Sequence, residues 1–476
     1  MRSSGVQAPA VTPPTLTIRN PGTGEPLGEV RVASEADAEA AVEVAQRGKL
    51  ATAALAAHER AALLFEVAAA MEGEREELAR LLAAENGKPI RQTREEIGAA
   101  IRIFRGFAEE AKRIFGRQIP LDAVPGLERD LAFTMREPLG VVAAIVPFNY
   151  PVELYAHKAA AALAAGNAVI VKPPSKCPLT LARVHELFGE AGSPPGAHQL
   201  VAGGHDVVRA LARSPGVQML SLTGGTAAGI ALAELAAGTL KRVDLELGGN
   251  DAMIVCADAD VARAAEAVVL GRLARGNGQI CCAVKRVYVE SAVYDGFAEE
   301  LAGRARRLVV GDQLAEETDV GPLIDEAAAE AVAASIEAAV ASGARIAAGG
   351  GRRGAFVEPT VLVDVPARAP AVEREIFGPV APLFRVASAD EAVALANDSP
   401  FGLQASVFTR DVGRAFTLAR RLEVGAVVIN GSSALRAENL PFGGVKLTGG
   451  TREGIHDTLL DMTRQKAVIV KEAFER

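Results

Sequence analysis

The sequence predicts an α/β fold, in which parallel strands alternate with covering helices, from three observations. Short apolar runs such as Val141–Val146 and Ala168–Val171 alternate with longer segments of helical spacing such as Glu153–Ala165. Polar and glycine-rich clusters follow several of these runs, as is typical of the carboxyl ends of parallel strands. A second series of the same kind extends from Ala252 to about Val428. The length of 476 residues allows two or three domains.

The first part of the chain is predicted to be mainly helical. Residues 1–14 are rich in Pro, Ala and Ser and lack the order of a signal peptide, so we expect a flexible lead-in. Residues 20–24 (NPGTG) predict a turn between two short strands. A helical pattern then runs from the N-cap candidate Ser34 to about Leu82. A further helix is predicted from Thr93 to Ile114.

The following segments continue the alternation and end in an isolated strand. Helices are predicted at 180–189, 207–212 and 224–237, and strands at 199–201, 219–222 and 242–245. The last strand candidate, Gln465–Lys471, is apolar at its centre and has no partner nearby in sequence. We expect it to pair with the sheet edge of another subunit.

Composition excludes several classes of function. The net charge is −8, from 51 basic and 59 acidic residues, and there is no basic tract, so nucleic acid and anionic membrane surfaces are not expected partners. Apolar runs stay short of the roughly 18 residues that a membrane helix needs. The four cysteines form no CxxC motif and no metal-ligand spacing. The sequence predicts a cytoplasmic protein without a metal site.

The stretch 276–286 (GNGQICCAVKR) contains the candidate nucleophile. Cys281 follows a glycine–glutamine pair, and small neighbours with free backbone N–H groups suit a thiolate that must reach an electrophile and hold an oxyanion. Cys282 would point elsewhere on an extended backbone. The alternative is that both cysteines are small core residues, the usual situation for Cys among apolar neighbours.

Four further clusters follow predicted strands. They are the turn PFNYP (147–151) with Asn149, the stretch KPPSK (172–176), the helix start TGGTAAG (223–229) and the stretch ELGGN (246–250). The glycine-rich helix start suits an anionic pyrophosphate, although it is not the GxGxxG fingerprint. Each cluster alone also fits an ordinary polar turn or strand end.

Together these stretches resemble the aldehyde dehydrogenase superfamily, and the resemblance covers nearly the whole chain. The matching motifs stand in the family's order: PFNYP, VKPPS, LTGGTAAG, LELGGN, GQIC, EREIFGPV and LPFGGVKLTG. The resemblance implies a Rossmann-type cofactor-binding domain (15–125 and 145–246), an α/β catalytic domain (247–440) and a small β oligomerisation element (126–144 and 455–476). It also implies a homodimer or homotetramer.

The same resemblance implies a mechanism and a set of site residues. Cys281 attacks the aldehyde, Asn149 holds the oxyanion of the thiohemiacetal, the nicotinamide takes the hydride, and Glu246 is the general base that hydrolyses the thioester. Lys172 would bind the cofactor ribose, and Glu375 and Phe377 would position the nicotinamide ribose and ring. The other implied cofactor-binding residues are Val146, Pro147, Phe148, Pro173, Ser175, Lys176, Thr223, Gly224, Gly225, Thr226, Leu247 and Gly248.

Departures from the family pattern bear on the choice of cofactor. Gly225 stands where many members have Ser, and Gly276 where Asn is common, but neither change removes a catalytic group. Ser175 occupies a position that is often Glu in NAD-preferring members. A carboxylate there would repel a 2′-phosphate, whereas Lys176 beside Ser175 would attract it. Either NAD or NADP is expected, with NADP favoured.

The predicted substrate pocket carries cations where apolar-aldehyde members have aromatic residues. Arg275, Arg436 and His157 take such positions, and Tyr150 and Arg105 complete the predicted substrate-binding set. Buried guanidinium groups need an anion, which predicts a phosphonate- or carboxylate-bearing aldehyde. The pattern looks most like the phosphonoacetaldehyde dehydrogenase branch, with succinate semialdehyde, lactaldehyde and non-phosphorylating glyceraldehyde 3-phosphate branches as rivals. The alternative is an ion pair between one Arg and a carboxylate such as Glu438 or Glu153.

Three other classes of function remain as hypotheses. A CoA-acylating relative would form the same thioester but normally lacks a carboxylate at position 246, where this chain has Glu246. A cofactor-free thiol hydrolase needs a His partner for its Cys, and no dyad motif is present. A non-catalytic family member would be expected to have lost Cys281, Asn149 or Glu246.

Overall fold

The computed structural model describes residues 14–369 and 373–475, so all but Pro14 of the predicted flexible segment 1–14 lies outside the described residues. The strands, in chain order, are β1 (Thr15–Arg19), β2 (Pro26–Arg31), β3 (Gln118–Ile119), β4 (Leu131–Pro138), β5 (Val141–Ile145), β6 (Ala168–Lys172), β7 (His198–Leu200), β8 (Met219–Thr223), β9 (Arg242–Glu246), β10 (Ala252–Val255), β11 (Arg286–Glu290), β12 (Arg345–Ala348), β13 (Arg352–Arg353), β14 (Phe356–Val357), β15 (Thr360–Val363), β16 (Val380–Val386), β17 (Phe401–Gly402), β18 (Gln404–Phe408), β19 (Ala426–Ile429), β20 (Val445–Lys446) and β21 (Thr463–Val470).

The α-helices of the described residues are α1 (Glu35–Ala54), α2 (Ala57–Gly73), α3 (Arg75–Asn86), α4 (Ile90–Glu110), α5 (Pro151–Ala164), α6 (Leu179–Glu190), α7 (His205–Arg213), α8 (Thr226–Ala237), α9 (Val261–Val268), α10 (Tyr294–Ala305), α11 (Glu326–Ala341), α12 (Ala389–Asn397), α13 (Val412–Arg421) and α14 (Ile455–Asp461). The predicted cap is present, because the Ser34 side chain accepts a hydrogen bond from the Asp37 N–H and Asp37 accepts one from the Ser34 N–H. The predicted long helix from Ser34 to Leu82 is three helices, because Leu55 has extended backbone angles and Glu74 departs from helical ones.

A five-stranded parallel sheet, in the order β7-β6-β5-β8-β9, forms one half of the molecule. Strand β5 lies at its centre, where Val141–Ile145 is buried at every position. Helices cover both faces, and α5 is buried along its whole length because its sequence is mostly Ala, Leu and Val. Strand β5 belongs wholly to this sheet, so the predicted boundary at 144/145 is wrong: 141–144 pair here and not in the oligomerisation element.

A seven-stranded sheet, in the order β12-β15-β16-β11-β10-β18-β19, forms the other half. Its strands pair in parallel except β12, which is antiparallel to β15. Apolar cores lie on its two faces, one around Ile254 and Val407 and the other around Val287 and Phe297. This arrangement and the five-stranded sheet confirm the predicted α/β fold class.

A three-stranded antiparallel sheet, in the order β21-β4-β3, lies apart from the two large sheets. Residues Thr463–Val470 pair along the full length of β4, so the final strand has a partner within its own chain. Its outer edge is unpaired in the described chain, and Ile469 is 61% exposed there. Two predicted bounds need correction: β3 joins this sheet although it lies within 15–125, and residues 455–461 are helix α14. Among the described helices, none is both long enough and apolar enough to cross a bilayer.

Candidate active site

The loop that carries Cys281 is held in an unusual backbone conformation just before β11. Gly276, Asn277 and Gly278 all have positive φ angles, of 58°, 53° and 71°. A Cβ on Gly278 would lie 2.4 Å from the carbonyl oxygen of Gly378, so only glycine fits there. The fully buried Asn277 side chain donates to the carbonyls of Gly87 and Pro322 at 2.9 Å and accepts from the Gly321 N–H at 2.8 Å. These bonds offset the strain of the turn and fix the position of the thiol.

Cys281 and Cys282 form a coupled pair of free thiols. A hydrogen bond from Cys281, together with the cations Lys285, Arg275 and Arg436, lowers the pKa of Cys282 to about 7. The same hydrogen bond and burial raise the pKa of Cys281. The pair therefore releases its first proton near neutral pH, and movement of the shared proton can place the thiolate on either sulfur. Cys281 is the more exposed of the two, since Cys282 is only 3% exposed.

Asn149 lies on the loop between β5 and α5 and meets the Cys281 loop directly. Its amide donates a hydrogen bond to the Gln279 carbonyl at 3.0 Å. A side-chain amide has two N–H donors, so one remains for an oxyanion beside Cys281. The predicted pairing of Asn149 with Cys281 is thus geometrically possible across two different sheets.

A buried ion pair holds the Asn149 loop from behind. Lys88 and Glu96, on the α3–α4 turn and on α4, are in contact and both fully buried. Lys88 Nζ donates to the Asn149 carbonyl at 2.8 Å and lies 4.0 Å from the centroid of the Tyr150 ring. The Glu96 carboxylate accepts the Val152 N–H at 2.9 Å. We call Lys88 and Glu96 the loop clamp.

Glu246, at the end of β9, faces a buried ionic cluster rather than water. Its side chain is 3% exposed, and neither carboxylate oxygen has a hydrogen-bond partner among the described residues. Burial and the charges of Glu453 and Asp244 raise its pKa well above the usual carboxyl range. Lys158 and Arg436 oppose this shift. A carboxylate with a raised pKa and unused lone pairs is suited to accept a proton from water.

The remainder of the cluster is a chain of buried polar contacts. Lys158 Nζ lies 3.3 Å from Glu453 and donates to Ser221 at 3.0 Å, and Ser221 donates to Asp244 at 3.0 Å. Although burial opposes it, Lys158 and Arg436 lower the pKa of Glu453, so this carboxylate stays ionised.

A small chamber adjoins the thiols, and both arginines line it together with Cys281. It has a volume of about 30 Å³. Its lining comprises Asn149, Tyr150, Glu153, Leu154, Arg275, Ile280, Cys281, Cys282, Ala434, Arg436 and Phe442. An outer vestibule of about 290 Å³ shares Tyr150, Glu153, Arg275 and Arg436 with it. A substrate that reaches Cys281 by this route must be small and must pass both arginines.

Arg275 and Arg436 differ in how their charges are balanced. Arg436 is 2.5 Å from Glu453 and 3.4 Å from Glu153, and its guanidinium carbon lies 4.4 Å from the centroid of the Phe442 ring. The alternative of an ion pair with Glu153 therefore holds for Arg436, with Glu453 as the closer partner. Arg275 donates to the Ala434 carbonyl at 3.1 Å and has no carboxylate partner among the described residues.

Two predicted substrate residues lie away from the chamber. His157 is buried in the interior of α5, its ring packs edge-on against Phe107, and burial lowers its pKa to about 3. Arg105 points outward from α4 and lies 3.5 Å from Glu72. Arg102, three residues earlier on α4, lines the vestibule instead and pairs with Glu438 at 2.6 Å.

The cleft at the carboxyl edge of the five-stranded sheet fits a dinucleotide. Gly225 precedes α8 with open space where a Cβ would stand, so the N–H groups of the helix N-terminus are accessible. The Thr223 hydroxyl is buried without a partner among the described residues. Lys172 ends β6, has no carboxylate partner there, and donates to Ser175 at 3.4 Å. These residues together suit an anionic pyrophosphate and ribose hydroxyls.

The residues expected around the nicotinamide approach from both halves of the molecule. Phe148 and Phe377 pack edge to face with ring centroids 5.9 Å apart, and Glu375 is 2.9 Å from the buried Lys285. Lys285 also donates to the Cys281 carbonyl. The remaining predicted cofactor residues lie at the ends of the same strands: Val146, Pro147, Pro173, Gly224, Thr226, Leu247 and Gly248.

Lys176, expected to attract a 2′-phosphate, is already engaged. Its ammonium pairs with Asp325, the N-cap of α11, although Lys176 is 55% exposed. An exposed pair of this kind contributes roughly 0–1 kcal/mol. Lys176 can therefore exchange Asp325 for a phosphate at small cost.

Several buried charges at the site were not predicted from the sequence. They are Lys88, Glu96, Lys158, Asp244, Lys285 and Glu453, all at most 4% exposed. The usable signal was a lone charge inside a strongly apolar helix, as in the stretch around Lys158, because such a charge must find a buried partner.

Comparison with known proteins agrees with the geometry. The family model described as "Aldehyde dehydrogenase family" matches residues 10–468. A glutarate-semialdehyde dehydrogenase of Pseudomonas putida is 42% identical over 443 residues, covering 92% of this chain and 91% of that protein. A 3-sulfolactaldehyde dehydrogenase of Priestia megaterium is 38% identical over 456 residues, covering 96% of this chain and 94% of that protein.

Solved structures give the same result. The structure described as a glyceraldehyde-3-phosphate dehydrogenase of Methanocaldococcus jannaschii complexed with NADP superposes with a TM-score of 0.92 at 35% identity, covering 96% of this chain and 99% of that one. An NAD⁺ complex of an aldehyde dehydrogenase of Bacillus cereus has a TM-score of 0.92 at 35% identity, covering 96% of this chain and 93% of that one.

Proposed function

The chain belongs to the aldehyde dehydrogenase family, and from that premise we propose that it oxidises a small anionic aldehyde to the carboxylic acid with NAD or NADP. One aldehyde, one water and one oxidised dinucleotide give one acid, one reduced dinucleotide and a proton. Family membership supports an enzyme acting on a small semialdehyde. The anionic substrate and the residue roles are proposals that rest on the chamber beside Cys281.

The proposed chemistry uses this chain's residues in sequence. A thiolate at Cys281 attacks the aldehyde carbon, and the oxyanion accepts hydrogen bonds from the free N–H of Asn149 and from the Cys281 backbone. The bound dinucleotide supplies the oxidant, by accepting hydride. Glu246 then takes a proton from the water that hydrolyses the resulting thioester. The presence of Glu246 favours hydrolysis over transfer of the acyl group to CoA.

The observation that carries the anionic substrate is Arg275 in the chamber wall, which has no carboxylate in salt-bridge contact among the described residues. Arg275 is only partly buried, and a guanidinium there gains when a ligand brings an anion to it as water is excluded. The two relatives above are named for aldehydes with a sulfonate and a carboxylate, which supports an anion of this size. A planar guanidinium binds phosphonate, sulfonate and carboxylate alike, so Arg275 alone favours none of them over the others.

The experiment is a comparison of kcat/KM for phosphonoacetaldehyde, succinate semialdehyde and butanal. We expect both anions to exceed butanal by about ten- to hundredfold, the range of one charge-assisted hydrogen bond. Arg275→Ala should remove that advantage while sparing butanal. Arg105→Ala is the matched control, because Arg105 lies outside the chamber. A wild-type preference for butanal would contradict the proposal.

Three further properties belong to the same proposal. NADP is favoured over NAD because Ser175 offers no carboxylate to repel a 2′-phosphate and Lys176 can release Asp325. The exposed edge of β21 supports assembly into a homodimer or homotetramer. A cytoplasmic location agrees with the free cysteines among the described residues.

A further inference from the structure

Glu153 is a carboxylate in the wall of the chamber that the proposed reaction does not use. It lies on the first turn of α5 and lines both the inner chamber and the vestibule. Its side chain is 12% exposed. A carboxylate at this depth needs a partner that compensates for lost hydration. An aldehyde whose only polar groups are a carbonyl and an anionic end supplies no such partner.

The protein itself satisfies Glu153 only in part. Its side chain has one polar contact among the described residues, with Arg436 at 3.4 Å, which is long for a charge-assisted hydrogen bond. Arg436 is held more tightly by Glu453 at 2.5 Å. An ionised carboxylate offers about four acceptor positions. Most of the acceptor capacity of Glu153 is therefore directed into the chamber.

Glu153 and Arg275 give the chamber two poles. Arg275 presents a cation that the charge of Glu153 favours but that has no carboxylate in salt-bridge contact among the described residues. Glu153 presents an anion whose contacting cation, Arg436, is held more closely by Glu453. The walls around them are largely apolar, with Leu154, Ile280 and Phe442. Apolar walls strengthen both charges towards a ligand because water is excluded. Such a chamber selects a ligand that carries an acceptor and a donor at once.

We propose that the substrate carries, besides its anionic end, a hydrogen-bond donor on its carbon chain, either a hydroxyl or an ammonium group, and that Glu153 binds this donor. This inference rests on the proposed function, since it assigns the anionic end to Arg275. Glu153 is then the residue that separates substituted anionic aldehydes from plain ones. The discrimination is strong when a buried acceptor would otherwise stay unpaired.

The test uses aldehydes that share one skeleton. The purified full-length chain is assayed with NADP and NAD on 4-oxobutanoate, 2-hydroxy-4-oxobutanoate and 2-amino-4-oxobutanoate, with butanal as the uncharged reference. We expect at least one substituted acid to exceed 4-oxobutanoate in kcat/KM by about ten- to hundredfold. A larger gain for the amine identifies an ammonium as the natural donor, and a larger gain for the alcohol identifies a hydroxyl.

Variants of Glu153 test whether this residue causes the higher kcat/KM of the substituted acids. Glu153→Gln should remove an ammonium advantage, and Glu153→Leu should remove a hydroxyl advantage, so that the substituted acid no longer exceeds 4-oxobutanoate in kcat/KM. Glu153→Asp should restore part of the preference. Glu438→Gln removes a carboxylate of the vestibule that lies outside the inner chamber. It should leave unchanged the ratio of kcat/KM for 2-hydroxy-4-oxobutanoate to kcat/KM for 4-oxobutanoate.

The outcomes separate this inference from the proposed function. If 4-oxobutanoate exceeds butanal but neither substituted acid gains, or if the gain survives both Glu153 variants, Glu153 serves Arg436 alone and the inference is overturned. Equal losses on all four aldehydes in the Glu153 variants would overturn it as well. A wild-type preference for butanal over every acid would overturn the proposed function together with the inference.

Discussion

The adjacent thiols Cys281 and Cys282 differ both in exposure and in the direction of their pKa shifts. Both face the chamber, but Cys281 is more exposed and lies beside the amide of Asn149. The hydrogen bond between them favours the first thiolate on Cys282, so a proton must pass from Cys281 to Cys282 before Cys281 can attack.

We therefore expect Cys281→Ala to abolish dehydrogenase activity, whereas Cys282→Ala should keep most of it. Because the hydrogen bond with Cys282 raises the pKa of Cys281, that pKa should fall in the second variant. The rate of alkylation by iodoacetamide as a function of pH measures this shift. Similar losses of turnover in both folded variants would contradict the assignment of Cys281 as nucleophile.

Glu246 predicts how turnover depends on pH. Its carboxyl must be ionised to act as a base, and its pKa is raised, so kcat should rise with pH through a limb above the usual carboxyl range. Glu453→Gln removes a nearby negative charge and leaves Lys158 and Arg436 less balanced. Both effects favour ionised Glu246 and should move the limb to lower pH. A limb that moves upward, or stays in place, would remove Glu453 as a cause of the shift.

Ser175 gives a prediction about the dinucleotide. Ser175→Glu places a carboxylate where a 2′-phosphate would lie and should shift the ratio of kcat/KM from NADP towards NAD by at least about tenfold, the scale of one charged contact. Asp325→Asn, which frees Lys176, should shift it the other way. Wild-type activity with NAD alone would refute the reasoning from Ser175 and Lys176.

At the scale of elements, the loop clamp should govern how well Asn149 is placed. Removing one member of a buried ion pair leaves the other charge unpaired and destabilises by about 3–5 kcal/mol. We expect Lys88→Met and Glu96→Leu each to lower both stability and kcat. The double variant should recover stability in urea unfolding but not kcat, because the bonds to Asn149 and Val152 remain lost. Full recovery of kcat would show that the clamp serves stability alone.

The elements that sequence analysis located and those it missed differ in one physical respect. Glu246 is the last residue of β9 and Asn149 lies in the loop after β5, so their placement follows from strands that local sequence patterns predict. The clamp residues Lys88 and Glu96 depend on how α4 packs against α5, which no local pattern encodes. Glu453 likewise reaches Arg436 through the fold, so the balance of charge in the pocket was not readable from the sequence. The long helical pattern before Leu82 concealed two breaks because Leu55 and Glu74 carry no strong breaking signal.

The outer strand β21 concerns the whole molecule. Its edge exposes Ile469 and its hydrogen-bonding groups, and such an edge favours pairing with another chain. Ile469→Lys should therefore shift the molecular mass in solution, measured by light scattering, towards the monomer of 49.3 kDa. Met135→Lys, on the neighbouring inner strand β4, is a comparison for added charge alone. An unchanged mass would place the interface elsewhere.

The groups proposed to react and those proposed to select the substrate belong to different elements around one chamber. Asn149 and Glu246 stand at the ends of strands, whereas Glu153 and Leu154 belong to the first turn of α5 and Arg275 and Ala434 to loops. After gene duplication, the residues that select the substrate can therefore change while Asn149 and Glu246 are retained. Enzymes descended from such copies would share one chemistry and divide the aldehydes of a cell among themselves, each new preference arising from a few substitutions in the chamber wall.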